Sequence, residues 1–182
     1  MAAALGLAGA ALAWPVRSQG SGGWRIAGDF EPAARIWLGF DLGHADLSAR
    51  LVRALQPHVP LRMLVRTPAE VALAREALAS RGLGDAGLEF MVDPRASYFV
   101  RDAVLFARGD DGLLGVVDFV WSQYGLLGWC RARHAGEPGR IEDCAATADS
   151  PVDALAGALA RRLDAQRQSS DLAFEGGGLE FN

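Results

Sequence analysis

Short apolar runs alternate with helix signals along most of this chain, and that alternation restricts the folds open to it. Apolar runs bounded by Gly, Pro and Asp predict buried strands. The predicted strands cover residues 35–40, 61–65, 88–92, 99–107 and 113–121, with a last strand beginning at Ala173. Helices are predicted between the first three strands and before the last one. The order β-α-β-α-β-β-β-loop-α-β indicates an α/β sheet protein.

Two of the predicted helices have recognisable start signals. Asp46 is the expected N-cap of a helix whose apolar residues recur at helical spacing from Leu47. Thr67-Pro68-Ala69-Glu70 combines a capping Thr, a Pro at the first helical position and a Glu that can complete a capping box. The second helix is therefore predicted to run to about Ser80.

The second half of the chain is patterned less regularly. Asp110-Asp111-Gly112 separates two apolar runs where a hairpin turn is needed. Residues 131–150 are polar, rich in Gly and Ala and without periodicity, which predicts a long loop. Ser150-Pro151-Val152-Asp153 then opens a predicted helix to about Gln168, and residues 173–181 are predicted to be extended.

The overall charge argues against a nucleic-acid-binding protein. The 182 residues carry a formal net charge of -4, and all 18 basic residues are Arg. These Arg residues are scattered among acidic neighbours, as on ordinary solvated faces, and form no basic patch.

Residues 1–23 differ from the rest of the chain. Residues 2–13 are small, apolar and uncharged, a length that suits the apolar region of a secretory signal and is too short to span a bilayer. Ala11-Leu12-Ala13 supplies small residues for cleavage, but no basic residue precedes the apolar run. The segment is interpreted as an export leader followed by a Ser/Gly-rich linker, which predicts a periplasmic or secreted protein. The alternative is an Ala-rich tail on a cytoplasmic protein.

The two cysteines, Cys130 and Cys144, leave two possibilities open. In an exported protein they could form a disulfide, and otherwise they are unpaired small residues in an irregular segment. With only the isolated His134 nearby, they lack the paired spacing of a zinc site.

Asp102 is the first candidate functional residue. It lies inside the apolar run at residues 98–106, where a carboxylate is costly to bury unless charges or hydrogen-bond donors meet it. A structural alternative is a salt bridge with Arg101 or a position facing water. Adjacent residues of a strand point to opposite faces, which makes the pairing with Arg101 geometrically poor.

Glu175 is the second candidate, because it opens Glu175-Gly176-Gly177-Gly178. Glycines beside an acid allow backbone conformations closed to other residues and let a ligand approach closely. The alternative is a flexible C-terminal tail, and the triplet lacks the spacing of a nucleotide-binding motif.

Taken together, Phe-Val-Arg-Asp at residues 99–102 followed by Glu-Gly-Gly at residues 175–177 resembles the agmatine deiminase and bacterial peptidyl-arginine deiminase family. Phe30-Glu31-Pro32 with Trp37-Leu38-Gly39 resembles the opening segment of that family, and Asp118-Phe119 with Tyr124-Gly125 resembles its stretch between the two motifs. The resemblance covers residues 29–182.

The resemblance implies a pentein fold, a fan of five ββαβ-type modules around the active site, of which residues 24–182 would form the N-terminal part. It implies that Asp102 holds the substrate guanidinium and that Glu175 orients a catalytic His. Phe99 would form an aromatic wall over the cation, at a position where the family commonly has Trp, and Gly176 and Gly177 would line the substrate.

The implied reaction is covalent hydrolysis of a guanidinium to a ureido group and ammonia, with no metal or organic cofactor. The family's His-x-Asp motif and nucleophilic Cys have no counterparts at the required positions. His44-Ala45-Asp46 has the right spelling but precedes both motifs, and is interpreted as a loop ending in a helix N-cap. This chain alone is therefore expected to be inactive.

The substrate class and the partners follow from the same resemblance. Agmatine, free arginine and peptidyl-arginine all present a guanidinium group. Export would favour peptidyl-arginine, whereas agmatine and putrescine biosynthesis fit the cytoplasm. Neither nucleic acid nor, after removal of the leader, a membrane is expected as a partner. Two alternatives remain, namely a non-catalytic guanidinium-binding module and an unrelated exported α/β protein.

Overall fold

A computed structural model describes residues 23–28, 31–121, 125–146 and 151–173, so the predicted leader at residues 1–22 lies outside the described residues. The described elements, in chain order, are β1 Trp24–Arg25, β2 Ile36–Gly39, α1 Ala45–Leu55, β3 Leu61–Val65, α2 Pro68–Ala79, β4 Leu88–Val92, α3 Val100–Ala103, β5 Leu105–Gly109, β6 Leu114–Val120, α4 Leu126–Arg133, α5 Pro138–Ala146, α6 Leu155–Arg162 and β7 Gln166–Ala173. The α/β class predicted from the sequence is confirmed. No helix in these ranges is long and apolar enough to cross a bilayer.

Strands β2, β3 and β4 form a parallel sheet in the order β2-β3-β4. Helices α1 and α2 make the connections between them and cover one face of the sheet. The core between them is built from the buried side chains of Phe40, Ala45, Ala49, Val52, Leu61, Met63, Val65, Ala74, Ala77, Leu78 and Leu88. The central strand β3 is buried on both faces, which explains why it appears in the sequence as an apolar run interrupted only by Arg62.

Helix α2 begins as the sequence predicts. The backbone N–H of Glu70 donates to Oγ1 of Thr67 at 3.2 Å, and Pro68 occupies the first helical position. The Glu70 carboxylate accepts from the backbone N–H of Arg66 at 2.7 Å. The N–H of Glu70 in the first turn is thereby satisfied, whereas the Glu70 side chain bonds the residue before the cap rather than the cap residue of the predicted capping box.

A second sheet has the order β1-β5-β6-β7, in which β6 pairs in parallel with β7 and the other pairs are antiparallel. The predicted hairpin turn joins β5 to β6. Gly112 adopts φ +82° there, and Leu113 N–H donates to Oδ1 of Asp111 at 3.0 Å. Helix α6 leads into β7, so β6, α6 and β7 form a crossover unit.

The two sheets share a second core. Leu64 and Met91 of the parallel sheet pack with Val116 of β6 and with the buried residues of α3 and α6. The loop after β4 and the short helix α3 therefore lie between the two sheets.

Four sequence predictions about local structure were wrong, two of them at α3 and at the start of α1. Residues 99–107 were predicted as one strand, but α3 precedes β5, so Asp102 lies on a helical turn. Helix α1 begins at Ala45 with His44 as its cap residue, which places Asp46 inside the first turn.

The region after β6 was also predicted incorrectly. Residues 131–150 were predicted as loop, but α4 and α5 occupy much of that stretch. Helix α6 ends at Arg162, and residues 166–168, predicted as helix, begin β7. The strand predicted at residues 173–181 has only its first residue in the described range.

Candidate functional site

Asp102 is held by its apolar neighbours along the chain. Val100 and Val104, on either side, are 6% and 3% exposed and belong to the core shared by the two sheets. The turn is closed by hydrogen bonds from Val104 N–H to Val100 O at 3.0 Å and from Asp102 N–H to Phe99 O at 3.2 Å. Asp102 itself is half-buried. The apolar run that predicted a strand instead anchors a turn that carries the carboxylate.

Phe99 lies at the start of this turn and is 58% exposed. Its ring contacts Tyr98 edge to face with centroids 5.1 Å apart, and Tyr98 stacks on His44 at 4.5 Å. His44 Nδ1 lies 3.2 Å from Oδ1 of Asp41. The sequence did not predict the stacking of Tyr98 on His44, because the two residues are far apart in the chain and His44 was interpreted only as part of a loop before a helix N-cap.

Backbone packing at Gly39 fixes where Tyr98 and Phe99 lie. A Cβ atom on Gly39 would be 2.5 Å from Cα of Tyr98 and closer still to the carbonyl oxygen of Ser97. The loop after β4 can therefore cross the end of β2 only because residue 39 has no side chain. Trp37-Leu38-Gly39 was noted as part of the resemblance, and this is a physical reason for its glycine.

The register of the second sheet brings the strand that follows Asp102 and the strand that precedes Glu175 to one edge. Leu105, the first residue of β5, pairs with Val117, and Val120 of β6 pairs with Ala173 of β7. The edge at which β5 begins is thus the edge at which β6 and β7 end. Asp102 lies three residues before β5. Glu175, Gly176 and Gly177 lie outside the described residues, beginning two positions after the end of β7.

Charged groups follow the carboxyl ends of the parallel strands, where open α/β sheets commonly bind ligands. Asp93, directly after β4, is 3% exposed and forms a two-pronged ion pair with Arg95 at 2.7 and 2.9 Å. Burial raises the pKa of Asp93, but the hydrogen bonds from the Arg95 side chain and backbone N–H, with the charges of Arg95 and Arg162, outweigh it and hold the pKa below its usual value. Asp93 is therefore an ionised partner that fixes the start of the loop leading to Asp102.

A cleft of about 270 Å³ lies on the Arg101 side of the same turn. Its walls include Arg35, Trp37 and Phe106, and the rings of the last two are 5.1 Å apart. Neither Asp102 nor Phe99 is among its lining residues. The cleft is therefore separate from the site predicted from the sequence.

The two cysteines of the chain form a disulfide, Cys130–Cys144, with their Cα atoms 5.7 Å apart. Of the two possibilities left open by the sequence, the structure has the paired one. Neither sulfur is a free thiol. Within the described ranges, no group of three or more His, Cys, Asp and Glu side chains is placed to hold a metal ion.

A scan against protein-family models and a search of curated proteins give no match to this chain.

Proposed function

We propose that this chain carries the guanidinium-binding part of a hydrolase that converts a guanidinium group to a ureido group and ammonia. The proposal extends to the fold: its two sheets would belong to the pentein fan of the agmatine deiminase and bacterial peptidyl-arginine deiminase family. The observation that carries it is the shared sheet edge, where Asp102 precedes β5 and where β7 ends two residues before Glu175. The two motifs are distant in sequence, and β-sheet register brings their flanking strands together.

The chemistry at Asp102 suits a planar cation. A carboxylate can accept two parallel N–H bonds from a guanidinium, and such charge-assisted pairs are about twice as strong as neutral hydrogen bonds. Half-burial of Asp102 reduces solvent screening of the pair. The exposed ring of Phe99, three residues earlier, offers a face for the cation. In this proposal Asp102 is the clamp and Phe99 the wall.

In this proposal the nucleophilic cysteine is not one of the two cysteines of this chain. Both cysteines are joined in the disulfide, so no thiol of this chain is available to attack the guanidinium carbon. The proposed activity therefore belongs to a domain that adds a His-x-Asp motif and a late cysteine, with Glu175 orienting the His. This chain by itself is proposed to bind a guanidinium without hydrolysing it.

The disulfide also favours a second candidate, a guanidinium-binding module without catalytic activity. Such a module would use Asp102 and Phe99 in the same way and would need no thiol. The two candidates differ in whether joining this chain to a segment with the missing motifs produces ammonia release.

The test is calorimetric titration of the folded 182-residue protein with agmatine, arginine and a peptide ending in arginine. Asp102→Asn should weaken binding by about 10-fold or more, the usual effect of losing a charged hydrogen-bond partner. Asp85→Asn is the matched control, because Asp85 pairs with Arg75 at 3.1 Å on an exposed surface and precedes the amino end of β4. Equal binding by Asp102→Asn and the parent protein, or ammonia release by the parent chain alone, would contradict the proposal.

A further inference from the structure

The side chains described in the α4–α5 hairpin are mostly exposed. Among residues 125–126 and 128–144, whose side chains the structure describes, Cys130 is the only buried one, and Trp129 is 56% exposed. Neither of the two core clusters includes any of the side chains described in α4 and α5. The helices are eight and nine residues long, and helices of this length are not stable in water without packing or a covalent link.

The disulfide supplies that link. Cys130 lies in α4 and Cys144 in α5, 14 positions apart, and the two helices pack mainly against each other. Closing a loop of this length disfavours the open chain by roughly 100-fold. At the base of the α4–α5 hairpin, Trp121 N–H donates to Oδ1 of Asp153 at 2.7 Å, which joins the end of β6 to the turn before α6. The base is therefore fixed by the sheet, while the hairpin above it depends on the sulfur–sulfur bond.

We propose that the α4–α5 hairpin is a redox-dependent structural element, ordered when Cys130 and Cys144 are joined and locally unfolded when they are reduced. The two sheets, which have their own cores, remain folded in both states. A compartment with an oxidising thiol balance would keep the hairpin closed, and a reducing one would open it.

The reductant is a dithiol. Its thiolate attacks Sγ of Cys144, because Cys144 is half-buried whereas Cys130 is wholly buried. The Sγ–Sγ bond breaks, Cys130 leaves as a thiolate and takes up a proton, and a mixed disulfide forms on Cys144. The second thiol of the reductant then displaces Cys144. The protein gains two electrons and two protons, and the dithiol becomes a disulfide.

The hairpin follows the end of β6, at the sheet edge that also carries Asp102. Its redox state therefore governs the structure of a segment that follows β6, the strand that ends at the same sheet edge as the proposed guanidinium site. That consequence rests on the proposed function, whereas the redox-dependent folding of the hairpin does not.

The experiment is hydrogen–deuterium exchange of the full chain, read by mass spectrometry before and after reduction with dithiothreitol, with thiol labelling to show complete reduction. Peptides covering residues 126–146 should exchange about 10-fold faster or more in the reduced protein. Peptides covering β3 and α6 should keep their protection. The double variant C130S/C144S should match the reduced protein and should not respond to dithiothreitol.

Two results would overturn the proposal. Unchanged protection of residues 126–146 in fully reduced protein would show that packing, not the disulfide, orders the hairpin. Loss of protection in β3 and α6 together with the hairpin would show that the disulfide stabilises the whole chain. If Asp102→Asn binds guanidinium ligands as tightly as the parent protein, the proposed function fails but both exchange results are unaffected, so the two proposals fail separately.

Discussion

Cα of Tyr98 lies so close to Gly39 that a Cβ atom on residue 39 would be 2.5 Å from it. Because the obstructing atoms are backbone, a side chain at residue 39 can be accommodated only if the loop after β4 moves. That loop leads directly to Phe99 and Asp102. A strand of one sheet thus determines the position of the residues proposed to bind the guanidinium.

Gly39→Ala should therefore destabilise the protein by about 1–3 kcal/mol, the usual cost of overpacking, and should also weaken guanidinium binding. The measurement is urea unfolding combined with ligand titration. Gly84→Ala is the matched control, because nothing lies within 4 Å of a Cβ atom at that position. A Gly39→Ala protein with parental stability and affinity would show that the contact has no energetic role.

Phe99→Ala should reduce affinity for agmatine by about 2- to 30-fold, the range of a cation–π contact, with little change in stability because the ring is largely exposed. Phe99→Trp should retain or increase affinity, since Trp has the stronger quadrupole. Isothermal titration of both variants makes the comparison. If Phe99→Ala binds as tightly as Phe99→Trp, the ring does not contact the ligand.

Asp93→Asn should lower the free energy of unfolding by roughly 1–3 kcal/mol at pH 7, because Arg95 loses the buried carboxylate that is its charged partner. The pKa of Asp93 is lowered in the folded protein. The stabilisation of the folded protein by ionised Asp93 is therefore complete above the unfolded-state pKa of about 4. It is lost as pH falls through the lower folded-state pKa. The stability difference between parent and variant should shrink as pH falls below about 4.

Urea unfolding at several pH values measures this difference. Asp85→Asn again serves as the control, because its exposed pair with Arg75 should contribute less than about 1 kcal/mol. If the difference in unfolding free energy between the parent and Asp93→Asn stays constant down to pH 3, the ionised Asp93 carboxylate is not the source of the stabilisation.

Thr67→Ala should destabilise the protein by about 1 kcal/mol, because the N–H of Glu70 loses the Thr67 hydroxyl as its acceptor. Thr67→Ser keeps the hydroxyl and should destabilise the protein much less than Thr67→Ala. Thermal unfolding of the two variants tests the capping role, which would be refuted if Ala and Ser were equivalent.

Local signals were sufficient to predict the strands and helices of the three-stranded sheet, although not its parallel direction. Thr67-Pro68 specifies the start of α2 through side-chain and ring geometry, and the apolar runs of β3 and β4 are long enough to be read directly. The hairpin turn was predicted because Gly112 occupies the positive-φ position that the turn requires. In each case the decisive residues are neighbours in the sequence.

The wrong predictions arose where tertiary contacts decide the structure. Residues 99–104 are apolar enough for a strand, but the loop crossing at Gly39 and the burial of Val100 and Val104 favour a helical turn. Of the side chains described in α4 and α5 only Cys130 is buried, so these helices show little of the apolar stripe that marks a core-facing helix. The pairing of Cys130 with Cys144 orders them, and pairing depends on a distance that sequence does not encode.

The parallel pairing of β6 with β7 sets an order for assembly. Asp118 of β6 and Arg167 of β7 form an ion pair across 49 positions of the chain, whereas β2, β3 and β4 are complete by Val92. On an emerging nascent chain, the three-stranded sheet can therefore form early from nearby segments, while β6 waits for β7 with one edge unpaired. The interval before β7 arrives is when the exposed edge of β6 is open to association with other chains.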